Sequence, residues 1–145
     1  MKTLRLITLL AITALTLGTL VAQQPKQPAV KVIDQKQFVD MLFNPADSSY
    51  APRNTRTAVV DFNAVWCGPC RKLAPILDSL AVEMPDVDFY SLDVDKNKDL
   101  ARSLGVTNIP MLLICPAKGQ PQAIVGLYPK EEIQKVINYV ENHNQ

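Results

Sequence analysis

The sequence predicts an α/β fold: one domain with a central mixed β-sheet of about five strands, flanked by four helices. Three observations predict it. Short apolar runs of strand length recur at 58–62, 87–94 and 111–115. Segments whose apolar residues repeat at helical spacing alternate with these runs, in the order βαβαβαββα, which places helices on both faces of one sheet. A length of 145 residues with 48% hydrophobic and 20% charged side chains is also enough for one hydrophobic core.

The first 22 residues read as an export signal. Lys2 and Arg5 form a short basic start, and 6–21 is an apolar run broken only by Thr and Gly. Cleavage after Ala22 is expected, although Leu20 stands where a smaller residue is preferred, so an uncleaved membrane tether stays open. No cysteine follows the run at a position suited to lipid attachment. Residues 23–29 form a polar, proline-containing linker, and the domain spans 30–145. The formal charge is +1, and becomes −1 when Lys2 and Arg5 are removed. Neither value implies a nucleic-acid or anionic-membrane partner.

Within the domain, 31–43 begins extended and becomes helical, with Phe38, Met41 and Leu42 on one face. The stretch 44–57 is rich in Pro, Ser, Asn and Asp and has no period, so it is a long loop. Residues 58–62 form a strand buried on both faces, and its acid, Asp61, needs a reason for being there. Leu73, Ile76, Leu77, Leu80 and Ala81 then define a long helix that contains Pro75 and ends before Pro85. A second strand covers 87–94, a short helix 98–104 and a third strand 111–115. A turn at 118–121 leads to a strand at 123–126. The final helix carries Ile133, Val136, Ile137 and Val140 on one face and acids at its N-terminal end.

The chemistry sits in Cys67-Gly68-Pro69-Cys70. Two cysteines three positions apart at the mouth of a helix are close enough to bridge reversibly. Cys67 faces unpaired backbone N–H groups and the positive end of the helix dipole, which favours its thiolate. It therefore attacks a substrate disulfide, and Cys70, one turn deeper and expected to be less exposed, resolves the mixed disulfide. Pro69 suits a first helical turn that needs no N–H there, Gly68 is read as allowing a tight turn, and Trp66 supplies a flat apolar wall. A structural zinc site needs about four ligands, and the candidates are only Cys67, Cys70, Cys115 and His143. A fixed structural disulfide closing so short a loop would stabilise little. No metal or cofactor is expected. Cys115 reads as a buried core thiol.

Val60-Asp61-Phe62, Ala64, Trp66-Cys67-Gly68-Pro69-Cys70 and Ala74-Pro75-Ile76-Leu77 together resemble the active-site segment of thioredoxins. Ile109-Pro110, Gly119 and Gly126 are similar to that family's other landmarks. The resemblance spans about 31–140 and implies the thioredoxin fold, a redox-active Cys67–Cys70 disulfide and a cis peptide before Pro110. It also implies that Trp66, Ile109, Pro110 and Gly126 border the substrate. Asp61 is implied to be the buried acid that takes a proton as Cys70 becomes nucleophilic. Three positions differ from the usual pattern: Ser91 where lysine is frequent, Asn63 where an aromatic residue is frequent, and Arg71 in place of lysine. They bear on the redox poise and leave the reaction type intact.

The expected function is reduction of protein disulfides outside the cytoplasm, in the periplasm. The partners expected are disulfide-bonded exported proteins and a membrane electron donor for re-reduction, with the chain itself a monomer. An oxidase or isomerase of the same fold, a reductant for cytochrome c maturation and a non-catalytic binding or chaperone module are the alternatives. The 44–57 loop is expected to lie opposite the cysteines.

Overall fold

The computed structural model describes residues 30–47 and 49–143. The leader at 1–22 and the linker at 23–29 lie outside them. The elements follow in the order β1 (Lys31–Val32), α1 (Gln35–Met41), β2 (Ala58–Asn63), α2 (Gly68–Glu83), β3 (Asp88–Asp93), α3 (Lys98–Ser103), β4 (Met111–Cys115), β5 (Gln122–Val125) and α4 (Lys130–His143). They form one five-stranded sheet in the order β1-β3-β2-β4-β5. β1 and β2 run parallel to β3, and β4 runs antiparallel to both β2 and β5. This is the mixed sheet with four helices that the alternation of apolar runs and helical periods predicts.

Strand alternation explains why β2 must be apolar almost throughout. Successive side chains point to opposite faces, and both faces are covered. Ala58, Val60 and Phe62 pack with Phe38 of α1, Leu92 of β3 and Leu100 of α3. Val59 packs on the other side with Leu73, Leu77 and Leu80 of α2 and Ile133 and Ile137 of α4. Asp61 belongs to this second face by the same alternation, one step closer to the carboxyl end of the strand. Cys70 stands one turn before Leu73 on α2, so helix and strand converge on the site from the same end.

α1 is short and depends on its cap. Asp34 accepts a hydrogen bond from the Gln37 backbone N–H at 2.8 Å, and the Asp34 N–H donates to Gln37 Oε1 at 3.0 Å. This reciprocal pair satisfies two donors that a helix start leaves open. α2 runs 16 residues, carries Pro75 internally and stops at Glu83, ahead of Pro85.

The 44–57 loop is tied down at the amino end of β2. Asn54 Nδ2 donates to the Cys115 carbonyl at 3.0 Å, and Cys115 is the register partner of Ala58, the first residue of β2. Arg56 donates to the carbonyls of Pro85 and Asp86. The cysteine pair follows the other end of the strand, so the loop lies opposite it. The Tyr50 ring meets Phe43 edge-on at 5.0 Å between centroids, which anchors the loop to the core beside α1.

Candidate active site

Cys67 is the N-cap of α2, with extended backbone angles. Its sulfur accepts a hydrogen bond from the Cys70 backbone N–H at 3.2 Å. That N–H is one of the donors that a helix start leaves without an intrahelical partner. A thiolate on Cys67 would keep this donor and gain the favourable end of a 16-residue helix dipole. The two cysteines are joined by a disulfide with their Cα atoms 5.3 Å apart. Pro69 lies in the first turn, where its missing N–H leaves no broken bond.

Two expectations are corrected here. Cys70 is not the less exposed cysteine, because both residues are 4% exposed. Joined as a disulfide, they share one small apolar pocket with Ala64, Val94 and Ile109. The tight turn expected at Gly68 is not formed either. Gly68 starts the helix and is absent from the glycines of positive φ, which are Gly105, Gly119 and Gly126. A Cβ placed on Gly68 would come no closer than 4.0 Å to Arg71 Nη2. The role of Gly68 is therefore a bare surface beside the sulfur, not unusual backbone geometry.

Asp61 is 4% exposed. Burial pushes its carboxyl from the ordinary 3.8 up to about 6, and a hydrogen bond from Asn63 partly opposes that rise. Asn63 Nδ2 donates to Asp61 Oδ2 at 2.9 Å, and Asp61 Oδ1 accepts no hydrogen bond among the described residues. A buried acid whose pKa lies near neutral can accept a proton at physiological pH and release it again.

Trp66 stands 64% exposed beside the disulfide. Its orientation is fixed by Asp95, whose Oδ2 accepts a hydrogen bond from the indole Nε1 at 2.7 Å. Arg71 Nη1 donates to the Val65 carbonyl at 3.1 Å, which holds the same loop from the helix side. Sequence reasoning missed Asp95. It lies 29 residues from Trp66, and only the pairing of β2 with β3 brings the two together.

Ile109 packs against the cysteine pair, and the Ile109–Pro110 peptide is cis. The Gly126 N–H donates to the Pro110 carbonyl at 2.8 Å, and Gly126 has φ of 115°, in the region that favours glycine. Ile109 thus meets the disulfide from one loop, Trp66 adjoins Cys67 in another, and Pro110, next to Ile109, is joined to Gly126. Cys115 is wholly buried and unpaired on the α1 side of the sheet, and burial pushes its thiol up to about 12. It takes no part in the site. Among the described residues no group of three or more His, Cys, Asp or Glu side chains is placed to hold a metal ion.

A helix-capping cysteine bridged to a second one three residues on, with a buried acid in the strand that leads to it and an exposed tryptophan next to it in the chain, defines a thiol–disulfide oxidoreductase. Comparison with known proteins agrees. The family model for thioredoxin matches residues 30–139. The thioredoxin of Borreliella burgdorferi is 35% identical over 109 residues, covering 74% of this chain and 86% of its own length. That of Bacillus subtilis is 38% identical over 94 residues, covering 63% of this chain and 90% of the relative. Among solved structures, chloroplastic thioredoxin z superposes with a TM-score of 0.65 at 30% identity, covering 77% of this chain and 94% of the other. The chain belongs to the thioredoxin family.

Proposed function

We propose that this oxidoreductase reduces disulfides in exported proteins outside the cytoplasm, with Cys67 attacking and Cys70 resolving. The observation that carries the chemistry is the Cys67 sulfur capping α2 and accepting the Cys70 N–H. Cys67 thiolate attacks one sulfur of the substrate disulfide, the substrate S–S bond breaks, and one substrate thiolate leaves. Cys70 then gives its proton to Asp61 and attacks the Cys67 sulfur, expelling the second substrate thiolate. Two electrons pass from the dithiol to the substrate, and the Cys67–Cys70 disulfide is left behind.

Reduction is favoured over oxidation by Gly68 and Pro69 between the cysteines, where no histidine stands, and by the similarity to thioredoxins. Export is supported by the basic start and apolar run of 1–22. Re-reduction outside the cytoplasm requires an electron donor in the membrane.

Trapping in cells tests the proposal. A Cys70→Ser chain completes the first attack and stops, so it should accumulate as mixed disulfides with exported proteins, whereas Cys67→Ser should trap none. Recovery of cytoplasmic partners alone would overturn the assigned compartment. Equilibration of the purified chain with glutathione tests direction. A potential near about −270 mV fits a reductase, and one near about −120 mV would make it an oxidase.

A further inference from the structure

We infer that Asn63 is a positioning residue for the buried acid: its amide holds one oxygen of Asp61 and leaves the other to receive the proton of Cys70. This rests on Asp61 being the proton acceptor, as proposed above. Asn63 follows Asp61 by two residues on β2 and so projects from the same face. Its Nδ2 donates to Asp61 Oδ2 at 2.9 Å, to the Asp61 carbonyl at 3.0 Å and to Ser91 Oγ at 2.8 Å. Ser91 is the register partner of Asp61 across β2 and β3. Two N–H groups serving three acceptors fix the amide plane, and through it the carboxyl plane. Asp61 Oδ1, buried and without a partner among the described residues, is the oxygen left for a transferred proton.

The surroundings explain why this neutral donor matters. β4 places Leu112 in register with Asp61, and the helix side chains packed on this face of β2 around Val59 are Leu73, Leu77 and Leu80 of α2 and Ile133 and Ile137 of α4, none of them a cation. On β3, Asp93 stands in register with Asn63, and its charge is matched by Lys96 Nζ at 3.7 Å. The Asn63 amide therefore stabilises the ionised carboxyl against burial without adding a charge of its own. In the resolving step Cys70 Sγ–H passes its proton to Asp61 Oδ1, and the Cys70 thiolate attacks Cys67 Sγ. The substrate thiolate departs with the electron pair of the broken S–S bond and is protonated from solvent, to which Asp61 returns its own proton.

The test uses the full chain with Asn63→Leu, which removes the donor at similar volume, and Asn63→Asp, which replaces it with an anion. Two quantities are read: the NMR titration of the Asp61 carboxyl in the oxidised protein, and the pH dependence of mixed-disulfide resolution with insulin. Resolution needs ionised Asp61 and falls as pH drops through its pKa. Losing a hydrogen bond to the ionised form raises that pKa, so both midpoints should move to higher pH, by about one unit in Asn63→Leu and further in Asn63→Asp. Unchanged Asp61 titration in both variants would overturn the inference. A wild-type chain that reduces no insulin at any pH would instead remove the reductase reading, while the carboxyl titration still decides the role of Asn63.

Discussion

Asp61 is held under two opposed demands, one from folding and one from catalysis. Its folded-state pKa of about 6 lies above the ordinary 3.8, so the native state binds this proton more tightly than the unfolded chain does. The resulting stabilisation is fully present below about pH 4 and is lost as pH rises through about 6. At pH 8 the buried carboxylate therefore costs up to about 3 kcal/mol, at 1.36 kcal/mol per pKa unit. Asp61→Asn keeps the shape and removes the charge. It should raise the unfolding free energy at pH 8 by up to that amount and show no gain near pH 4, which urea denaturation at the two pH values would measure. The same variant should slow resolution of the mixed disulfide by about 10²-fold, since no acceptor remains for the Cys70 proton. A variant that is more stable and slower is the signature of a site residue; a merely structural Asp61 would lose stability when replaced.

Elements differ in how much of themselves they write into the sequence. β4 is an unbroken apolar run, and β2 one interrupted by Asp61, because both faces of the sheet are covered, and α4 repeats its apolar residues at helical spacing because only one face is. The cysteine pair is legible for a similar reason, since its chemistry needs two sulfurs one turn apart at a helix start. Asn63 and Ser91 were legible as departures from the family pattern that bear on redox poise, but their hydrogen bond was not, and Asp95 was not legible as a site residue. Ser91 lies 28 residues from Asn63 and Trp66 29 from Asp95, and the contacts exist only because β2 and β3 pair in a particular register. Gly68 misled for the opposite reason: a glycine between two cysteines suggests special backbone, whereas the helix begins there with ordinary angles. The cap of α1 falls between these cases, because Asp34 and Gln37 have the spacing of a capping box at the end of β1. α1 has only seven residues and buries Phe38 alone, so it has little else to define its start. Asp34→Ala should destabilise the fold by about 1 kcal/mol, read as a lower thermal midpoint, with the rate of insulin reduction at 25 °C unchanged.

On the scale of the whole molecule, the sheet separates function from anchorage along the length of β2. The strand order places β2 between parallel β3 and antiparallel β4, and the cysteine pair lies beyond its carboxyl end, where open α/β sheets bind their ligands. The long 44–57 loop closes the other end through Asn54 on the Cys115 carbonyl and Arg56 on the 85–86 turn. One substitution at each end should therefore separate stability from activity. Asn54→Ala removes its bonds to the carbonyls of Cys115 and Arg56, and leaves the Cys115 carbonyl without that donor. It should cost about 1–2 kcal/mol in denaturant while insulin reduction at 25 °C stays within about twofold. Asp95→Ala acts on an exposed hydrogen bond at the other end. It should change stability by about 0.5 kcal/mol or less, yet raise the KM for a protein disulfide several-fold, because Trp66 is no longer held against the approaching chain. Measured side by side, the two variants should move in opposite columns; loss of activity in Asn54→Ala at full folding would mean that the loop end also contacts substrate.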